Sequence, residues 1–267
     1  MKRGFPSQLK DVARRALGPG CYEAIRRNYS FWISRSDFRY IASNRRIRAL
    51  WNKHRGKRCF IIGNGPSLKK TDLSLLKGEI TFGMNRIYLL FRELGFSTTY
   101  FVSVNRLVIE QCAEEIVQIP CPKFIRWRAR DSIEFTRDMM FVRSRKEPGF
   151  STDLTRGVWG GATVTYVTIQ IAYYLGFQKV IIVGVDHSFE TKGVPGATVV
   201  SEGDDPNHFD SQYFGKGFRW QLPDLETSEL AYRLAKYQFE GSNREIVDAT
   251  IDGKLQVFRK VDYLSLF

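Results

Sequence analysis

The chain has 267 residues, 43% hydrophobic and 14% aromatic, with 41 Lys and Arg against 28 Asp and Glu. That length and apolar share exclude a disordered chain or a disulfide-dependent miniature, and fit one large α/β domain with an appendage. The net charge of +13 is concentrated: residues 1–58 hold 16 Lys and Arg against Asp11, Glu23 and Asp37, while the remainder balances. Cys21, Cys59, Cys112 and Cys121 have no CxxC spacing and there are three His, so reduced thiols are expected rather than a zinc site. Met1-Lys2-Arg3 leads into polar sequence, not an apolar signal region, and no run reaches the ~18 apolar residues of a membrane span. The expected compartment is the cytoplasm.

Residues 1–56 read as a basic helical appendage. Leu9, Val12, Ala13, Ala16 and Leu17 recur at helical spacing up to Gly18-Pro19-Gly20. A second segment starts near Tyr22, and a third runs through Phe38, Ile41, Ile47, Leu50 and Trp51. The aromatic cluster YSFWI at residues 29–33 lies between them. Cations beside Phe, Tyr and Trp suit an anionic membrane surface, which predicts peripheral association at the inner face of the membrane through residues 1–58. A helical cap on the core is the alternative. No nucleic-acid-binding motif accompanies the charge, so no nucleic-acid partner is expected.

Residues 57–267 alternate strand and helix. Predicted strands cover residues 60–63, 80–85, 99–105, 123–127, 139–142, 179–186 and 245–249. Predicted helices cover residues 68–76, 87–94, 107–117, 164–174 and 229–239. A hairpin is expected at Asp252-Gly253, and residues 187–224 read as a long polar loop. The alternation predicts an α/β, Rossmann-like, mostly parallel sheet with helices on both faces.

The stretch CFIIGNGPSL at residues 59–68 is an apolar strand, a glycine turn and a helix start. Gly63, Asn64, Gly65 and Ser67 are therefore candidates for contact with a phosphate-bearing ligand. The turn is neither a GxGxxG fingerprint nor a Walker A loop. Ligands of such sheets bind at the carboxyl ends of strands, where Asn64, Asn85, Asn105 and Asp186 fall. The Gly160-Gly161-Ala162-Thr163 turn adds a helix N-terminus at the same edge. The loop after Asp186 carries His187, Ser188, Glu190, Glu202, Asp204, Asp205, His208, Tyr213 and Lys216. His208, in Asn207-His208-Phe209-Asp210, is the candidate base, with His187 or a carboxylate as alternatives.

The segments FIIGNGPSLK, GMNRIYL, YFVSVNR, GGATVTYVTIQIAYYLGFQKVIIVGVDHSF and NHFDSQYFGKG together resemble the MptE-like family. That family takes its name from a 6-hydroxymethylpterin diphosphokinase and is similar to the Maf flagellin-glycosylating proteins and to small bacterial sialyltransferases that use CMP-sialic acid. The resemblance covers about residues 57–260. It implies that Gly63, Asn64, Gly65, Ser67, Asn85, Asn105, Gly161, Ala162, Thr163, Asp186 and Ser188 hold a nucleotide sugar. Two positions depart from the sialyltransferase pattern. A tyrosine expected two residues after Asp186 is Ser188, and the catalytic histidine falls near Gln212 when His208 is aligned with an earlier histidine.

What the resemblance implies is glycosyl transfer from a nucleotide-activated sugar, with CMP-nonulosonic acid favoured, to a glycan or lipid-linked glycan. His208 would take the acceptor proton. Tyr213 or Lys216 would stabilise the departing nucleotide, and no metal or cofactor is called for. One alternative is a pterin diphosphokinase with Mg²⁺ on Asp186, Asp204 and Asp205. A non-catalytic nucleotide-binding protein is the other.

Overall fold

The computed structural model describes residues 36–191 and 193–267, with Ala16 and Gly18. The helices expected through Leu9 and Leu17 and from Tyr22, and the aromatic cluster at residues 29–33, lie outside the described residues. The chain divides into two compact units, Met1–Ala42 and Ser43–Phe267. In the first, Asp37 accepts from the Arg39 backbone N–H (2.9 Å) and pairs with its guanidinium (2.8 Å) at the start of helix α1 (Phe38–Ala49).

The second unit is built on strands β1 (Arg58–Ile62), β2 (Thr81–Met84), β3 (Tyr100–Ser103), β4 (Lys123–Arg126) and β5 (Met139–Val142). Further along come β6 (Ser144–Arg145), β7 (Val158–Trp159), β8 (Lys179–Val183), β9 (Thr198–Val200), β10 (Arg219–Gln221), β11 (Glu245–Asp248) and β12 (Arg259–Lys260). One eight-stranded sheet runs β12-β11-β8-β1-β2-β3-β4-β5. Every pairing in it is parallel, with Phe60 opposite Ile181 on one side and Thr81 on the other. The helices are α2 (Phe91–Leu94), α3 (Arg106–Gln111), α4 (Ala113–Gln118), α5 (Val164–Tyr174) and α6 (Leu225–Glu240). This is the α/β, Rossmann-like architecture that the alternation predicts.

The apolar runs CFII and VIIV are buried along their whole length because both faces of the sheet are covered. Cys59, Ile61, Phe82 and Val102 join α5 and α6 in one core cluster. Side chains alternate across a strand, so Phe60 faces the other way, where it stacks on Phe267 (5.7 Å). α5 is buried along most of its surface, and its polar Thr168 and Gln170 are satisfied by the carbonyls of Val164 (2.9 Å) and Trp159 (2.9 Å).

Residues 43–56, which the charge count groups with the N-terminus, pack in this unit. Ile47 belongs to the core, and Ser43 Oγ accepts from the Phe141 N–H (2.9 Å). The N–H groups of Asn52 and His54 donate to the carbonyls of Tyr174 and Leu175 (3.1 and 2.8 Å). These bonds satisfy acceptors that the end of α5 would otherwise leave open.

Several segments differ from what the sequence predicts; residues 87–94 are a 3₁₀ turn, Ile87–Leu90, running into the short α2, and the strand predicted to 186 ends at Val183. Residues 68–76 are not a helix but two 3₁₀ turns, Pro66–Lys70 and Leu73–Leu76. They are separated by extended Thr71 and by Asp72, whose side chain takes the Ser74 N–H. The helix expected over 107–117 breaks at Cys112 into α3 and α4. The hairpin at Asp252-Gly253 is absent: β12 runs parallel to β11. Lys254 N–H donates to the Asp186 carbonyl (2.8 Å), drawing the chain back along the strand ends before it enters the sheet. The loop 187–224 contains the antiparallel pair β9–β10, tied to α3 by Gln111, whose amide bonds both N–H and C=O of Arg219 (2.9 and 2.8 Å).

Candidate functional site

The chain leaves β1 toward β5 on one side and returns through α5 to β8 on the other. The strand order therefore reverses between β1 and β8, the place where open parallel sheets bind ligands. A cleft of about 370 Å³ lies at these carboxyl ends. It brings together most of the candidates: Gly63, Asn64, Gly65, Asn85, Asn105, Ala162, Thr163, Asp186, Ser188, His208 and Tyr213 all line it. Ser67, Gly161 and Lys216 do not; Ser67 is buried, and Lys216 is exposed away from it.

Gly63 and Gly65 are required for a different reason from the one the sequence suggests. Neither has positive φ. A Cβ at Gly63 would lie 2.1 Å from the Gly184 carbonyl oxygen, and one at Gly65 would lie 1.8 Å from Asp186 Oδ2. The glycines make room for the exit of β8. Asp186 in turn accepts from the Ser67 N–H (3.0 Å) and hydroxyl (2.7 Å). The N–H read as a phosphate donor is already taken by this carboxylate.

The three asparagines divide their work. Asn105 caps α3, accepting from the Leu107 N–H at 2.9 Å. Asn85, held at φ +50°, accepts from Ser103 Oγ (3.1 Å). In both, the oxygen is used and the amide NH₂ has no partner among the described residues. In Asn64 the oxygen itself is idle: Oδ1 is buried at the cleft with no hydrogen bond. A buried acceptor without a donor costs roughly 1–3 kcal/mol, which a ligand N–H or O–H would recover.

On the α5 side, Gly161 (φ +53°) and Ala162 (φ +58°) turn the chain into the helix, and Thr163 caps it by accepting from the Thr165 N–H (3.2 Å). A Cβ at Gly161 would meet Ala231 at 2.5 Å, so this glycine sets the packing of α5 on α6.

Opposite lies the 187–224 strap. Phe209 N–H donates to the Asn64 carbonyl (2.9 Å), and Arg86 donates to the Gln212 carbonyl (2.9 Å) and to that of Tyr213. His208 sits between these ties. Its Nδ1 bonds Asp205 Oδ2 at 2.7 Å. A carboxylate only accepts, so Nδ1 carries a hydrogen, and in the neutral imidazole Nε2 is the nitrogen with the lone pair. Nε2 has no partner among the described residues and the ring lines the cleft. Asp205 is itself fixed by the N–H groups of Asn207 (2.8 Å) and Phe214 (3.1 Å).

Tyr213 is fully buried, its hydroxyl accepting from the Arg86 N–H (3.2 Å) and its ring stacked on His208 (4.0 Å). Burial pushes its phenol well up from the ordinary value. Its ring backs the imidazole. His187, at φ +55°, is engaged by Glu229 Oε1 (3.2 Å).

A family model described as "MptE-like: 6-hydroxymethylpterin diphosphokinase MptE-like" matches residues 36–192, more than half of the sequence. The chain belongs to the MptE-like family. Among solved structures, this MptE-like chain is similar to the Maf glycosyltransferase of Magnetospirillum magneticum AMB-1, with a TM-score of 0.51 and 14% identity. The match covers 85% of this chain and 39% of that one, so the chain spans about two fifths of that protein's length. At that identity the likeness is one of fold. No curated protein matches the chain.

Three residues in or behind the MptE-like cleft have roles that the sequence does not assign. Asp205, predicted as one of several loop acids and as a metal ligand of the alternative reading, instead orients His208 from three residues upstream. Arg126 ends β4 as Asn85 and Asn105 follow β2 and β3; extending that strand to Trp127 hid it. Glu229, 42 residues from His187, had no signal in the sequence.

Proposed function

We propose that the chain is a glycosyltransferase that takes a nucleotide-activated sugar at the β1–β8 switch point, with CMP-nonulosonic acid the favoured donor. The observation that carries this reading is the Asp205–His208 pair, in which Nδ1 is held by the carboxylate and Nε2 has no protein partner in a ring that lines the cleft. In the mechanism, the acceptor hydroxyl gives its proton to Nε2 as its oxygen forms the glycosidic bond. The bond from the sugar to the nucleotide phosphate breaks, and the electron pair leaves with the phosphate. Asp205 holds the ring in the productive tautomer and stabilises the imidazolium. The N-terminus of α5, whose first turn reaches the cleft through Thr163, Val164 and Thr165, favours the departing phosphate. The orphaned Asn64 acceptor suits an N–H or O–H of the nucleoside. The acceptor in this reading is a glycan or lipid-linked glycan at the cytoplasmic membrane face, with residues 1–58 as the cationic contact.

The family's description favours a second reading, diphosphate transfer from ATP with Mg²⁺ to a pterin. The carboxylates expected to hold the ion are not assembled for it. Asp186 is bonded to Ser67, Asp205 to His208, and Asp204 accepts from Gln212 Nε2 (3.0 Å). Among the described residues no three His, Cys, Asp or Glu side chains gather as a metal site.

A thermal-shift panel of CMP, CDP, uridine nucleotides and ATP with Mg²⁺ separates the readings. A ligand at 100 times its Kd stabilises the fold by about 2.7 kcal/mol. Stabilisation by CMP without metal is expected; stabilisation only by ATP with Mg²⁺ would favour the kinase, and none at all a non-catalytic role.

A further inference from the structure

Arg126 is a charged cleft residue that the proposed reaction does not use. It stands at the carboxyl end of β4, half-buried, on the cleft wall. Its Nε is sealed from solvent without a hydrogen-bond partner, and its one hydrogen bond among the described residues is a long one from Nη1 to the Val104 carbonyl (3.4 Å). Among the described residues no carboxylate pairs with it. Its neighbours make this worse rather than better. Burial first, then the charges of Arg128 and Arg106, push its pKa down, and of these only Arg106 is engaged by an acid, Glu110 at 3.3 Å. A half-buried guanidinium among cations is costly unless something negative completes it.

The strand ends form a graded row. β1 offers the Asn64 acceptor, β2 and β3 offer the NH₂ groups of Asn85 and Asn105, and β4 ends the row with a cation. Three strand spacings separate β1 from β4, about 14 Å. That is too far for Arg126 to serve a phosphate held at the β1–β8 switch point. His208 stands between the two ends, because its loop is tied to Asn64 after β1 and to Arg86 after β2.

We propose that Arg126 receives an anionic group of the substrate, a carboxylate or a phosphate, at the β3–β4 end of the cleft, with the Asn105 amide beside it. The proposal rests on the reading that the opposite end takes the nucleotide. It makes the site selective for an acidic sugar or a phosphorylated acceptor over neutral counterparts.

Titration calorimetry on the full chain and on Arg126→Ala, with Arg126→Lys as a second variant, tests it. The titrants are CMP, CMP-N-acetylneuraminic acid, N-acetylglucosamine 1-phosphate and N-acetylglucosamine. Arg126→Ala is expected to melt no lower than the parent, because it removes an unpaired charge, and to keep its Kd for CMP within about twofold. If the anion is the carboxylate of the transferred sugar, the variant binds CMP-N-acetylneuraminic acid at least tenfold more weakly. If it is a phosphate on the acceptor, the loss falls instead on the sugar phosphate added to CMP-saturated protein, with N-acetylglucosamine unaffected. Equal losses for CMP and the CMP-sugar would overturn the proposal, since Arg126 would then serve the nucleotide phosphate. Unchanged affinity for every anion would overturn it too. A parent that binds no CMP contradicts the transferase reading instead. The anion site is then judged by the sugar phosphate on nucleotide-free protein, where a loss in both variants sustains it and no loss ends it.

Discussion

At the scale of single residues, the cleft divides into polar atoms that the fold already uses and polar atoms that it leaves open. Asn105 Oδ1, Asn85 Oδ1 and both oxygens of Asp186 are committed to the protein, whereas Asn64 Oδ1 and His208 Nε2 are not. His208→Ala is expected to lower turnover by about 10² to 10⁴ with donor affinity nearly unchanged. Asp205→Asn should also slow turnover, because an amide no longer fixes the tautomer that leaves Nε2 unprotonated. Steady-state rates beside donor titrations check both, and a variant as fast as the parent would remove the dyad from the mechanism. The glycine turn is a poor probe of the ligand, since a side chain at Gly63 or Gly65 collides with Gly184 or Asp186 before any nucleotide is present. The sequence marked these positions correctly as places of close approach. It could not tell that the approaching group is the exit of β8, because that contact joins residues some 120 apart.

At the scale of elements, the apolar runs made β1, β2, β3 and β8 legible, and their register put Asn85, Asn105 and Asp186 at one edge. Segments governed by local polar competition were harder to read. Asp72 stops a helix that the apolar spacing of 68–76 suggests, and Cys112 breaks another. Asn105 lines the cleft and also caps α3. Asn105→Ala should therefore cost about 1 kcal/mol of stability in the free protein, measurable by denaturant titration. An unchanged midpoint would mean the cap bond contributes nothing. His54, bonded to the Tyr100 hydroxyl (2.7 Å) and stacked on Phe177 (4.8 Å), ties residues 43–56 to the sheet. Burial, then Lys53 and Lys57, hold its pKa below the ordinary 6.5. The folded imidazole thus stays neutral where the unfolded one takes up a proton. Its contribution is present above pH about 6.5 and is lost as the pH falls below that. Melting temperature measured from pH 7.5 to 5 should fall less steeply in His54→Gln than in the parent; parallel curves would contradict this.

At the scale of the whole molecule, residues 59–267 balance in charge, and the cationic excess lies in residues 1–58, part of which packs in the α/β unit. Several described cations of that segment are structural. Arg46 donates to the carbonyls of Thr136 and Met139, and Arg58 pairs with Glu79. Arg45, Arg48, Lys53, Arg55 and Lys57 are exposed. No helix among the described residues is long and apolar enough to cross a membrane. If residues 1–58 contact anionic lipid, each cation near the surface adds about 1 kcal/mol. Replacing Lys2, Arg3, Lys10, Arg14, Arg15, Arg26 and Arg27 by Gln in the full chain should then abolish co-sedimentation with anionic vesicles. The binding of the parent should fade toward 1 M salt, as the Debye length shortens to about 3 Å. Equal sedimentation of parent and variant would refute the contact. The central claim is that a nucleotide occupies the switch-point cleft against Asn64. Its most direct test is the metal-free titration of CMP into the parent and into Asn64→Ala. One site per chain is predicted, weakened at least tenfold by the substitution while the melting temperature of the free protein holds. A parent that takes up no CMP, or an Asn64→Ala protein that binds it equally well, would contradict the account.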